Sequence, residues 1–237
     1  MIHTMSDLTA TLNSSDQGLE KINLCILKSK FANLYSVENA LSALGVKACI
    51  TDDPRLIKDS DAVIFPGVGS FAQVKQDLDK HSLTIRLKRF AESGKPMLGI
   101  CLGMQLLFQR GYEGEQPSEG LGLLEGEVIQ LDKSKVARVP HIGWNTLECS
   151  PKQEFHDIFN GQPANPQVYF VHSFYCSASN TSQIAATTEV GLGYKVPVMV
   201  KKNNIYGMQF HPERSGKVGL LFLKNFIQIV QKHSQKA

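Results

Sequence analysis

Met97-Leu98-Gly99-Ile100-Cys101-Leu102-Gly103-Met104-Gln105 is the stretch that decides how this chain is read. Residues 97–100 suit a buried strand, Cys101 stands between two glycines, and a helix-forming segment follows. The pattern is a strand–turn–helix elbow with cysteine where a hydrolase would carry serine. Such a turn is tight and its central residue strained, so the flanking side chains must vanish. It also aims the thiol at a helix start, where free N–H groups and the helix dipole favour thiolate. Simple packing of a buried cysteine is the competing reading. The two glycines weigh against it.

Outward from the elbow, short β-like runs at 22–27, 47–50, 61–65 and 97–100 alternate with helix-like segments at 35–44 and 102–109. A long amphipathic stretch at 72–93 precedes the elbow strand. That rhythm predicts βαβ units and a parallel sheet, with the nucleophile at the carboxyl ends of the strands. From residue 127 onward strands dominate, at 127–131, 167–171, 183–187, 196–201 and 205–210. A final helix is expected at 217–231, with Leu220, Leu223, Phe226, Ile227 and Val230 on one stripe. The expectation is one α/β domain over 21–237 with an antiparallel-rich second half. Residues 1–20 are polar and read as a flexible extension without the apolar centre of a signal peptide.

Composition narrows the function classes. With 237 residues and 42% apolar content, the chain can bury a substantial core. A net charge of +3 without a basic tract gives no reason to expect nucleic-acid or membrane partners. No apolar run is long enough to span a bilayer. Five scattered cysteines without C-x-x-C pairs point to a reducing cytoplasm rather than a disulfide framework. Cys25 and Cys49, each within an apolar strand, read as core. The seven histidines show no metal-ligand spacing, so neither metal nor cofactor is expected.

A cysteine nucleophile needs a base, and the base needs an orienting partner. The strand at 205–210 delivers Phe210-His211-Pro212-Glu213-Arg214-Ser215-Gly216. In extended backbone His211 and Glu213 fall on one side, so His211 reads as the base and Glu213 as its orienter. Attack on an amide also requires donors for the oxyanion. The segment Pro66-Gly67-Val68-Gly69 ends the strand at 61–65 and is Gly-rich enough to expose its amides; the Leu102 N–H beside the nucleophile is the other candidate.

Gly99-Ile-Cys101-Leu-Gly103-Met-Gln105 together with His211-Pro-Glu213 resembles the triad (class I) glutamine amidotransferases, which strip ammonia from glutamine. Pro66-Gly-Val-Gly69, Pro140-His-Ile-Gly-Trp-Asn145 and Tyr169-Phe-Val-His-Ser-Phe-Tyr175 narrow the resemblance to the glutaminase subunits of imidazole glycerol phosphate synthase. It implies a flavodoxin-like amidotransferase fold and a heterodimer with a (β/α)8-barrel cyclase that receives the ammonia in histidine biosynthesis. It further implies that Gln105 and the backbone at Ser173 and Phe174 hold the glutamine. Asn33, Trp144 and Arg214 then lie at the partner interface. The family's oxyanion strand is expected to form fully only when the partner site is filled. Two alternatives stay open: a glutaminase serving a different ammonia acceptor, and a non-catalytic scaffold. One departure stands out. Lys28-Ser29-Lys30-Phe31-Ala32-Asn33-Leu34 replaces the usual Asp-x-Gly-x-(Gly/Ala)-Asn-Leu loop.

Overall fold

The computed structural model describes residues 22–235, so the extension expected at 1–20 lies outside it. The chain opens with β1 (Leu24–Leu27), α1 (Leu34–Ala43), β2 (Ala48–Thr51), α2 (Pro54–Asp59) and β3 (Ala62–Gly67). Two helices, α3 (Phe71–Lys80) and α4 (Leu83–Glu92), then lead to β4 (Met97–Cys101) and α5 (Leu102–Leu106). Short strands β5 (Arg110–Gly111) and β6 (Ser118–Glu119) precede β7 (Gly126–Gln130), β8 (His141–Thr146) and β9 (Glu148–Cys149). There follow α6 (His156–Phe159), β10 (Gln167–His172), β11 (Phe174–Ala178), β12 (Ile184–Gly191), β13 (Tyr194–Lys202) and β14 (Ile205–Met208). The helix α7 (Gly216–Ser234) closes the chain.

Eight strands form the main sheet in the order β2-β1-β3-β4-β14-β13-β12-β9. The first five run parallel, as the alternating first half predicts, and the remainder antiparallel. One face is covered by α1 and α7 through Leu41, Phe222 and Phe226. The other is covered by α2, α3 and α4 through Ile57, Val74 and Leu87. Burial on both faces explains why the parallel strands read as unbroken apolar runs rather than alternating ones. Two smaller sheets, β11-β7-β5-β6 and β10-β8, stand outside this frame. No helix among the described residues is long and apolar enough to cross a membrane.

The structure departs from the sequence expectation at several places, three of which bear on the core. The amphipathic stretch at 72–93 is two helices, because Ser82 turns left-handed at φ 57. A continuous helix would carry the Val74–Leu78 stripe on to Ile85, which is exposed; the break buries Leu83 instead. The elbow helix ends at Leu106, short of the expected 109, since the chain turns there into β5. Cys49 is exposed rather than core, because β2 is the outermost strand on its side of the sheet.

The elbow glycines serve close approach. A Cβ on Gly103 would sit 1.7 Å from the Phe65 carbonyl oxygen, and one on Gly99 2.7 Å from the Gly103 backbone. Gly103→Ala must therefore push α5 away from β3, and should cost on the order of 3 kcal/mol. Urea unfolding checks this; a midpoint equal to the native protein's would refute the packing account.

Candidate active site

β4 lies between β3 and β14, parallel to both. Register pairs Gly67 of β3 with Cys101, and Ile100 with Met208 of β14. The segments that follow β3 and β14 therefore leave the sheet on either side of Cys101. Cys101 itself has φ 54 and ψ −112, a strained conformation held by the tight passage into α5. It is buried but opens on a cavity of about 400 Å³.

His211 reaches this cavity from beyond β14. Its N–H donates to the Tyr169 carbonyl (3.0 Å), and its own carbonyl accepts from Ser215 Oγ (2.7 Å). Pro212–Arg214 forms a 3-10 turn, not the extended backbone expected from the sequence. Proline is pre-set for such a turn. The turn brings the two side chains together all the same: His211 Nδ1 lies 2.8 Å from Glu213 Oε1, and both side chains are almost wholly buried. Burial pushes the imidazole towards its neutral form, but the Cys101 sulfur and the Glu213 carboxylate outweigh it and raise its pKa to about 10. No hydrogen bond closes to His211 Nε2, which is buried without a partner.

Of the residues singled out from the sequence, Val68, Gly69, Cys101, Leu102, Gln105, Ser173, Phe174 and His211 all line this one cavity, and Glu213 stands behind His211. The Val68 N–H is committed to the Phe31 carbonyl at 2.6 Å, whereas that of Gly69 has no acceptor among the described residues. Leu102 is the first residue of α5, so its N–H has no intrahelical partner. The Ser173 carbonyl accepts from Leu131 N–H (2.9 Å), and the Phe174 carbonyl from Gln105 Nε2 (3.0 Å) and His172 Nδ1 (2.9 Å). Neither carbonyl is thus a free acceptor.

Asn33, Trp144 and Arg214 are outside the cavity. Asn33 caps α1, accepting from Ser36 N–H (3.4 Å). Trp144 is 57% exposed on β8 and packs edge-on to Tyr169, while Arg214 lies 5.2 Å from the Tyr169 ring centre. Lys28 faces Asp52 at 3.9 Å at the surface.

Glu113, His172 and Gln209 were missed from the sequence. Glu113 is the one carboxylate lining the cavity, and its Oε2 accepts from Phe71 N–H at the start of α3 (2.7 Å). It follows the two-residue strand β5, and no local pattern marks it. His172 adjoins the expected Ser173. Burial, with His141 and His211 nearby, holds its pKa down at about 3 despite the Phe174 carbonyl, so it stays neutral. Its Nε2 meets His141 Nδ1 at 3.0 Å, and Asn145 Nδ2 approaches His141 Nε2 at 3.4 Å.

Residues 29–229 match the family model described as "Glutamine amidotransferase class-I". The chain belongs to the class-I glutamine amidotransferase family. The imidazole glycerol phosphate synthase subunit HisH of Methanosarcina barkeri is 43% identical over 206 residues, spanning 87% of this chain and 98% of that relative. The subunit of the same name from Listeria innocua is 40% identical over 215 residues, 90% of this chain and 100% of that one. Among solved structures, PurLQS from Thermotoga maritima superposes with a TM-score of 0.70 at 19% identity, covering 89% of this chain and 99% of that one. The Trypanosoma brucei CTPS glutaminase domain with bound acivicin gives 0.60 at 14% identity, covering 88% and 94%. These two likenesses establish the amidotransferase fold.

The His211 environment has a consequence for pH. Its pKa is raised from 6.5 to about 10, so the charged imidazole stabilises the fold fully below about pH 6.5. That contribution is lost as the pH climbs towards 10. Urea midpoints should fall over this window, and Glu213→Gln should flatten the fall; an identical slope in that variant would contradict the pairing.

Proposed function

We propose that this chain is the glutaminase of an imidazole glycerol phosphate synthase, supplying ammonia from glutamine to a cyclase subunit in histidine biosynthesis. The observation that carries the mechanism is the strained Cys101 beside a buried His211–Glu213 pair in one cavity. Residues 21–237 form the amidotransferase domain. All five cysteines are free, in keeping with a cytoplasmic enzyme.

Glutamine enters with its α-ammonium towards Glu113 and its carboxamide towards Cys101. The thiolate attacks the carboxamide carbon, and the N–H groups of Gly69 and Leu102 receive the oxyanion. Each such donor is worth about 3 kcal/mol of barrier. Collapse of this intermediate breaks the C–N bond, and the His211 imidazolium gives its proton to the departing ammonia. A glutamyl thioester remains. The neutral His211 then takes a proton from water, whose oxygen displaces the sulfur and yields glutamate. Glu213 orients the imidazole and stabilises its charge without taking the proton. Because Val68 is tied to Phe31, the cavity offers one amide fewer than it could, which supports an oxyanion pocket completed only in the complex.

The partner is a (β/α)8-barrel cyclase bound as a heterodimer. Exposed Ile142 and Trp144 on β8, with Arg214 against Tyr169, offer an apolar and aromatic surface for it. Asn33 and the Lys28–Lys30 loop flank Phe31, whose carbonyl accepts from Val68 N–H and whose ring lies beside Gly69.

Two measurements test this reading. Glutamate release should be negligible for the chain alone and strong with the cyclase subunit and its nucleotide acceptor. Cys101→Ser should abolish release in the complex, by 10³-fold or so, while leaving subunit binding intact; persistent turnover would overturn the mechanism. For the interface, Trp144→Ala should weaken binding of the cyclase by roughly tenfold or more, as for a buried aromatic anchor. Unchanged affinity by calorimetry would place the interface elsewhere.

A further inference from the structure

Gln209 is fully buried with its side-chain amide 3.7 Å from the Cys101 sulfur, and nothing in the mechanism above uses it. Its backbone is fixed where β14 ends, with its N–H donated to the Val198 carbonyl at 2.9 Å. The orientation of its side-chain amide is also fixed, by elimination. The Phe174 carbonyl can only accept, so the Gln105 atom 3.0 Å from it is the nitrogen Nε2. The same nitrogen lies 3.0 Å from Gln209, whose facing atom is therefore the oxygen Oε1. This leaves Gln209 Nε2 towards Cys101 Sγ, at 3.7 Å. The hub of this arrangement is held from a second side, since His172 Nδ1 also donates to the Phe174 carbonyl.

We infer that Gln209 is a hydrogen-bond donor to the nucleophile, stabilising the Cys101 thiolate and fixing the direction of its sulfur. A bond to an ionised acceptor is stronger than one to a neutral one, so the N–H favours thiolate over both thiol and thioester. The donor thereby keeps the resting enzyme armed and assists expulsion of the thiolate when the thioester is hydrolysed. Gln105 and Phe174 act one step back, by holding the Gln209 amide the right way round. The inference rests on Cys101 being the nucleophile, as proposed above.

Gln209→Met tests it in the full chain with its cyclase subunit, because methionine keeps length and burial and removes the donor. Two quantities are read: the rate of Cys101 alkylation by iodoacetamide between about pH 6 and pH 10, located by mass spectrometry, and kcat and KM for glutamine. Alkylation at pH 7 should slow about tenfold, and the gap to the native rate should narrow as the pH rises. In the same variant kcat should fall about 10- to 100-fold with KM within about threefold of the native value. Met208→Leu, equally buried on the same strand, controls for packing and should change neither. If Gln209→Met fails to fold, Gln209→Asn, too short to reach the sulfur, should give the same two readouts. A native alkylation profile in a folded Gln209 variant overturns the inference, even if kcat falls. Hydrolysis retained by Cys101→Ser would instead refute the nucleophile itself, so the two failures are told apart.

Discussion

Ile100 pairs with Met208, so the parallel strands β4 and β14 reach the same edge of the sheet side by side. From that pairing the chemistry follows. One strand continues into the strained elbow of Cys101, the other into Gln209 and His211, and β3 on the opposite flank places the Val68–Gly69 amides within the same cavity. A parallel sheet covered on both faces holds these three ends with little freedom, because every strand is packed above and below. The glycines of the elbow are the condition for it. Without them α5 could not approach β3, and Cys101 would lose its position relative to His211.

Around this frame a single backbone carbonyl organises the buried polar groups. Phe174 O receives Gln105 from one side and His172 from the other, and His172 is met in turn by His141 near Asn145. A buried amide or imidazole without partners would cost about 1–3 kcal/mol, so such a cluster is stable only if nearly every donor finds an acceptor. Among the described residues four buried side-chain atoms lack a partner, and two of them, His211 Nε2 and Glu213 Oε2, lie at this site. The first belongs to an imidazole that lines the cavity, where an incoming ligand can supply the missing partner.

The same network extends to the surface. His141 and Asn145 lie on β8, the antiparallel partner of β10, each one position from the exposed Ile142 or Trp144. The strand that exposes Ile142 and Trp144 thus also carries His141, which meets the cavity-lining His172. The departure at Lys28–Leu34 falls at a comparable junction. Phe31 supplies the carbonyl that holds the Val68 N–H, so this loop determines which amides of the Val68–Gly69 segment are left unpaired at the cavity.

Much of this was legible in the sequence because it is local. The Gly-x-Cys-x-Gly elbow, the apolar runs of the parallel strands and the amphipathic stripe of α7 are each written in a few neighbouring residues. Cys101 closes β4, and His211 and Glu213 follow within a few residues of β14, so the apolar runs of those two strands placed all three near one sheet edge. The break at Ser82 was not legible: residues 72–93 remain amphipathic throughout, and only the core decides between burying Leu83 and Ile85. Cys49 looked like core until the strand order placed β2 at an edge. Glu113, His172 and Gln209 belong to the site through distance in space, not spacing in sequence. Their roles depend on which acceptor each side chain meets, and only the tertiary structure decides that.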